Sequence, residues 1–469
     1  MLKRSADEVL SLGGPAPRTL LFLVLVSGVA VALGWMLVYL PPMLVVSAVG
    51  ALAALTLWLL NPVIALYGLV GLAPFSLTYE VAGIAGMRLL DPVIIALCAL
   101  IVLARISGRR RGSGTGPMKR VQLTLWLFLA VWGAYTFLEG PPNQWFLTGP
   151  AHDIWQLYRA VWRDLLPFLL VFYSLEDDRT ALRLVDLVIA LSTGIALHAM
   201  ISSLASGEDA IGVFDTKNQL AGYLVVVLPF AVARLLTATN WKRRGVLAAC
   251  CVLILRALWL SGSRGGLFAF FTSVLPLALV MPRKRIAAAS VVGAGALLVL
   301  VTVQGDILDR PMVQRFLTLG RATQEHNFQW RQEQWQFFID RLAQRPWMGF
   351  GTDVMPELLT LDRAATPHNG WLGIAFRAGL PAVAVWALML LTWIGVAMRQ
   401  ALIRAAGPPE KAFWIGMLGC LFGLITHNMV EATLLQPQVQ MTVWIMGGIL
   451  LFLSRPGRDL AGSADLHDA

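Results

Sequence analysis

Apolar residues run through this chain in blocks of about helix length, separated by short polar segments. The blocks lie at 19–40, 43–60, 62–79, 89–105, 121–138, 160–175, 184–205, 218–238, 245–260, 265–281, 286–303, 370–398, 412–430 and 439–454. Such lengths suit helices that cross a hydrocarbon layer, whereas barrel strands alternate over only ~10 residues. Backbone groups in lipid must be satisfied within the chain. The expected fold is therefore all-α, a polytopic integral membrane protein with 12–14 transmembrane helices. The second and third blocks meet at Asn61-Pro62, and the lower count applies if they form one kinked or re-entrant element.

One long polar interval, 304–369, breaks the pattern. Within it Phe328, Trp335, Phe338, Ile339 and Leu342 recur at helical spacing among charges and glutamines. They predict an amphipathic helix of roughly 15 residues lying on the membrane surface, with Trp330, Trp335 and Trp347 at headgroup depth. Pro346 and the Gly-Phe-Gly at 349–351 should stop it. The expected organisation is an N-terminal transmembrane bundle over 1–303, a loop over 304–369, C-terminal transmembrane helices over 370–454 and a disordered polar tail over 455–469.

Composition agrees with a membrane protein: 57% of residues are hydrophobic, 14% are charged, and the mean hydropathy is +0.69. The net charge of +10 raises the question of a nucleic-acid partner. Its distribution answers it. If the N-terminus lies inside, the basic clusters at 105–120, 179–183, 242–244, 283–285, 399–411 and 455–458 all fall on the inner side. The charge then sets topology, and no nucleic acid is expected. Both termini are then expected on the cytoplasmic side and the 304–369 loop on the outer side. Cys98, Cys250, Cys251 and Cys420 sit inside apolar runs, without disulfide or zinc spacing. The chain carries no P-loop, Rossmann glycine pattern or HExxH.

Ionisable residues near the outer helix ends are the candidates for chemistry, because charge at membrane depth is costly. Arg159 and Arg163 stand one helical turn apart and serve either lipid headgroups or an anionic ligand. Lys217 and Asn218 open a helix, where Asp215 or Thr216 caps it or an anion binds. Arg264 lies in SGSRGG between two apolar blocks, and its planar fork suits phosphate oxygens. His368, between Pro367 and Asn369, opens another helix as either a cap or a general base. His427 and Glu431 are spaced to share a helical face, a pair suited to a supporting role. Several cations around one histidine at lipid depth suggest an anionic lipid such as a pyrophosphate. No metal-binding carboxylate cluster accompanies them, so catalysis without metal or cofactor is expected.

The Arg331-x3-Trp335 pair, the RPWMGFG segment with Pro346, Gly349 and Gly351, the HNGWLGIAFRAGL segment and SGSRGG resemble the O-antigen ligase and polymerase superfamily. The resemblance is strongest over residues 210–380. It implies a GT-C-like, inverting glycosyltransferase of the bacterial inner membrane, taking a glycan from undecaprenyl pyrophosphate at the periplasmic face. It matches His368 to the family's catalytic histidine and Arg264 to the arginine of its Ser-Arg turn. Lys217 departs from the small or aromatic residue expected before the asparagine. Joined to the residue reading, this gives His368 and Arg264 as catalytic, with Arg163, Lys217 and Arg159 on the pyrophosphate. Asn218, Asn369, His427 and Glu431 support them. The expected partners are membrane lipids, the undecaprenyl-pyrophosphate glycan, and lipid A-core or a second lipid-linked glycan as acceptor. Ligation to lipid A-core is the first reading, polymerisation the second, and transport of a lipid-linked glycan the alternative of another class.

Overall fold

A computed structural model describes residues 61–75, 78–81, 84–88, 166–280, 326–350, 367–404 and 407–455, with isolated helical positions at Thr56, Ile94, Cys98, Thr124 and Leu127. The described chain is overwhelmingly helical. Its helices are α1 (Pro62–Leu72), α2 (Leu166–Ser174), α3 (Asp178–Ser206), α4 (Lys217–Thr237), α5 (Trp241–Leu260), α6 (Arg264–Val280), α7 (His326–Leu342), α8 (Gly370–Arg399), α9 (Pro408–His427) and α10 (Pro437–Leu453). Among the described residues, α3, α4 and α8 with its continuation to Ile403 are long and apolar enough to cross a membrane. The blocks at 19–40, 43–60, 89–105, 121–138 and 286–303 lie outside the described residues or touch them only at isolated positions.

Two expected helices end early. The block at 62–79 is not one helix: α1 stops at Leu72, a 3-10 turn covers Ala73–Phe75, and an antiparallel hairpin of β1 (Thr78–Val81) and β2 (Ile84–Arg88) follows. Asn61 starts α1 by accepting the Val63 amide at 3.0 Å, so Asn61-Pro62 is a helix start with Pro at the first position. The block at 412–430 ends at His427, and a turn and a 3-10 segment, Thr433–Leu435, lead into α10.

Helix α9 is apolar on all sides and correspondingly buried, at the centre of the bundle. Its glycines at spacings of three and four set how closely it packs. A β-carbon at Gly416 would stand 2.5 Å from Phe230, one at Gly419 2.6 Å from Pro229, and one at Gly423 2.6 Å from Val225. Opposite ends of the bundle carry different chemistry. At one end the buried Arg234 of α4 meets Asp186 of α3 at 3.0 Å and donates to the carbonyls of Leu182 (2.9 Å) and Pro409 (3.1 Å). Arg243 meets the same Asp186 at 3.2 Å, and Arg455 meets Asp178 at 3.5 Å. Starts of α3, α5 and α9 and ends of α4 and α10 are thus tied together at this basic end.

The segment after α7 is docked on a break in α8. At Gly379 the backbone leaves the helix (φ 77°, ψ 173°), just before Pro381. The freed Leu380 amide donates to the Pro346 carbonyl at 2.8 Å, and the Phe350 amide donates to the Phe376 carbonyl at 2.7 Å. A β-carbon at Gly379 would stand 2.1 Å from the Trp347 carbonyl oxygen, and one at Gly349 (φ 68°) 2.6 Å from that of Phe376. The RPWMGFG glycine Gly349 is therefore required for a backbone-to-backbone clasp. Phe338 of α7 packs edge-on against Phe376 at 4.7 Å beside the clasp. The outward positions of α7, Gln332, Glu333, Gln336 and Asp340, are polar apart from Ile339. The apolar face of α7 is thus spent on α8. Of the three tryptophans expected at headgroup depth, Trp347 is exposed, whereas Trp330 and Trp335 turn inward.

Gly379→Ala should lower the thermal midpoint in detergent by roughly 5 °C, since a side chain at this φ costs about 1–3 kcal/mol before the clash is added. It should also expose 343–350 to protease. Gly395→Ala, on the same helix with open space around it, should stay at the wild-type midpoint.

Candidate functional site

The opposite end of the bundle gathers the polar residues, around the turn that follows α9. Four consecutive residues of this turn, Asn428 to Glu431, each accept a hydrogen bond from another element. The Asn428 carbonyl accepts the Gly370 amide at 2.8 Å, and the Met429 carbonyl accepts Asn369 Nδ2 at 3.3 Å. The Val430 carbonyl accepts Arg331 Nη1 at 2.5 Å. The Glu431 carboxylate takes His368 Nδ1 at 3.1 Å on Oε1 and Asn218 Nδ2 at 2.7 Å on Oε2, with Arg331 Nη2 at 3.9 Å. Asn428 itself is fully enclosed, its Oδ1 accepting the Leu434 amide and its Nδ2 donating to the Leu424 carbonyl.

His368 is held in a conformation that an L-residue rarely adopts. Among the described residues it alone, apart from glycines, has positive φ, at 46°. Such strain persists only where the neighbours fix the backbone from both sides. Before it, Trp335 Nε1 donates to the Pro367 carbonyl at 2.7 Å. After it, the Asn369 side chain caps α8 by accepting the Leu372 amide at 3.0 Å. The ring of Trp330 lies 5.5 Å from the imidazole, tilted by 55°.

A chain of hydrogen bonds runs onward from Glu431. Asn218, in the first turn of α4, accepts Ser263 Oγ at 2.9 Å on its Oδ1, and Ser263 Oγ accepts the Gly266 amide at 3.2 Å. Ser263 immediately precedes Arg264, the half-buried first residue of α6. The SGSRGG, TKNQ, HNMVE and PHN segments are thereby joined side chain to side chain. The glycines of SGSRGG serve packing within the protein: a β-carbon at Gly265 would stand 2.7 Å from Val430, and one at Gly266 2.6 Å from Ala221.

Three sequence assignments change. His427 and Glu431 do not pair through their side chains. The helix ends at His427, the buried imidazole bonds the Thr433 hydroxyl through Nδ1, and Glu431 turns to His368 and Asn218. Lys217 stands beside Asn218 but its ammonium pairs with Asp209, eight residues back, at 2.7 Å. Arg331, noted there only as a motif residue, reaches the centre of the site, as do Ser263 and Trp330. The spacing of R-x3-W was the available signal for Arg331, and nothing local marked Ser263. Arg159 and Arg163 lie outside the described residues.

Burial pushes the Glu431 carboxyl up, but the hydrogen bond and charge of His368, the charge of Arg331 and the Ala432 amide outweigh it, so the group is held below the usual carboxylate range. It is a carboxylate at neutral pH and can only accept. Facing that acceptor, His368 Nδ1 is the nitrogen that donates, and Nε2 is left free of this contact. The His368 side chain is 25% exposed and that of Glu431 10%, so the imidazole faces outward from a shielded partner.

These features define a helical membrane protein with a carboxylate-oriented histidine at one end of its bundle. Residues 249–387, under a third of the 469-residue chain, match the family model described as O-antigen ligase. Over that segment, which contains Arg264, Arg331 and His368, the chain bears out the resemblance to the O-antigen ligase superfamily, and an O-antigen ligase or polymerase type of function is supported. No curated protein matches the chain.

Because the folded-state pKa of Glu431 is depressed, its stabilising charge is present at neutral pH and is lost as pH falls through the folded value. Glu431→Gln should therefore melt below wild type at pH 7, by about 1.5–3 kcal/mol of lost charge-assisted bonding. The gap should narrow as pH drops below the ordinary carboxylate range and close once pH has passed the depressed folded value. Thermal melts across pH 3–8 check this.

Proposed function

We propose that this protein is a membrane glycosyltransferase that moves a glycan from undecaprenyl pyrophosphate to an acceptor hydroxyl, joining O-antigen to lipid A-core. The observation that carries the reading is the His368–Glu431 pair at 3.1 Å, with His368 inside the segment that matches the O-antigen ligase model. Glu431 holds the proton on Nδ1, and Nε2 takes the acceptor hydroxyl proton as the oxygen attacks the anomeric carbon. The bond from that carbon to the pyrophosphate oxygen breaks, and the undecaprenyl pyrophosphate leaves with its electron pair. Attack opposite the leaving group inverts the anomeric centre. Arg264, with Arg163 and Arg159, is assigned to the charge developing on pyrophosphate. Lys217 contributes less, because Asp209 already neutralises it.

The reading requires no metal ion, since the Glu431 oxygens are committed to His368, Asn218 and Arg331. The gathering of cations at the Arg234 end supports a cytoplasmic basic end, with His368 at the periplasmic face of the inner membrane.

Purified protein should transfer glycan from the undecaprenyl-pyrophosphate donor to lipid A-core, and EDTA should leave the rate unchanged. His368→Ala, inserted normally in the membrane, should lose transfer by 10²-fold or more, roughly the contribution of a general base. Glu431→Gln should lower kcat with little change in KM. Wild-type transfer by His368→Ala would refute the assignment, and a larger product from donor alone would make the protein a polymerase.

A further inference from the structure

Gln334 lies on α7 one turn beyond Trp330 and Arg331. It is 2% exposed, yet neither its Oε1 nor its Nε2 meets a hydrogen-bond partner among the described residues. A buried carboxamide with both ends unpaired is costly, and its retention calls for a partner such as a water, an ion or a ligand. Spacings of three and four put Gln334 on the side of α7 that carries Arg331 and Trp330. That side meets the candidate site, since Arg331 bonds the Val430 carbonyl and Trp330 lies 5.5 Å from His368. The neighbouring groups are otherwise engaged: Trp335 Nε1 bonds the Pro367 carbonyl and Phe338 packs on Phe376. The strip is open at the His368 end, where Trp330 is half-buried and the Arg331 side chain is 28% exposed, and it closes toward Gln334.

A ligand that completes this strip must offer a donor and an acceptor together to one carboxamide and a flat C–H face to an indole. A sugar ring offers both, through adjacent hydroxyls and its apolar face. A pyrophosphate diester, which has no P–OH, offers acceptors to Nε2 but leaves Oε1 unpaired at neutral pH, and an acyl chain leaves both unpaired. We propose that Trp330 and Gln334 form a sugar subsite on α7, in which a ring of the transferred glycan lies against the Trp330 indole and pairs two hydroxyls with the Gln334 carboxamide. The subsite rests on the glycosyl-transfer reading and identifies the residues that grip the glycan beside His368. Arg331, between them in sequence and bound to the Val430 carbonyl, keeps the subsite in register with Glu431.

The test measures binding of two probes to the full-length protein in nanodiscs: undecaprenyl pyrophosphate bearing one N-acetylglucosamine, and the bare lipid pyrophosphate. Wild type should hold the glycosylated lipid about tenfold tighter, as expected for two neutral hydrogen bonds and a stacked ring. Gln334→Met and Trp330→Leu should each remove most of that preference while leaving affinity for the bare lipid unchanged. Gln334→Met should melt no lower than wild type, because it replaces an unpaired amide with an apolar chain of similar size. Variants that keep the wild-type preference overturn the subsite, as does a wild type without preference, and so do variants that weaken both lipids equally, which marks a structural or pyrophosphate role. A wild type that binds neither lipid overturns the donor reading itself, which transfer by His368→Ala tests independently.

Discussion

A carboxylate buried near the end of a helical bundle has to be surrounded by donors, or the fold loses more than the charge is worth. Glu431 meets that demand with Asn218 from α4, Arg331 from α7 and His368 from the start of α8. Three helices are therefore tied to one charge. The residues before it extend the constraint, because the carbonyls of Asn428, Met429 and Val430 fix Gly370, Asn369 and Arg331 in turn. The turn acts as a frame on which the first residues of α8 and the inner face of α7 are hung.

The frame is rigid because of what carries it. It follows directly on α9, an enclosed helix whose glycines bring it against α4 and α6 along its length. At the far end Arg234 and Asp186 lock α3 and α4 to the start of α9. A helix fixed at one end and packed along its whole length presents its other end with little freedom. That is the condition for holding His368 at positive φ, since the strain has to be opposed by structure that cannot relax.

Hydropathy made the helices legible, because each apolar block is a local property of the chain. It also misplaced two of their ends. The block through 412–430 continues apolar past His427, and only the capture of the Leu434 amide by Asn428 shows why the helix stops there. A helix that continued would place Glu431 beside His427, four residues back; its actual partners lie 63 and 213 positions away. Spacing rules cannot see such partners. For the same reason Trp330 and Trp335 read as headgroup anchors, since their inward contacts, His368 and Pro367, lie beyond the clasp that folds α7 back on α8. His368 and Arg264 stand out as candidates in the sequence because each sits in a short motif whose neighbours are contiguous.

The segment that matches the O-antigen ligase model ends at residue 387, well before Glu431. It includes the histidine but not the carboxylate that orients it. The motif glycines explain how the two still come together. Gly265 lets the start of α6 approach Val430, and Gly349 with Gly379 lets the RPWMGFG segment lie on the break in α8, which seats α7 and brings Arg331 to the turn. In this fold the small residues of the motifs set distances between backbones, and those distances decide which polar residues meet. An imidazole more exposed than its carboxylate then follows from position alone: Glu431 belongs to the packed turn, whereas His368 precedes the first helical residue of α8, where the chain is still turning.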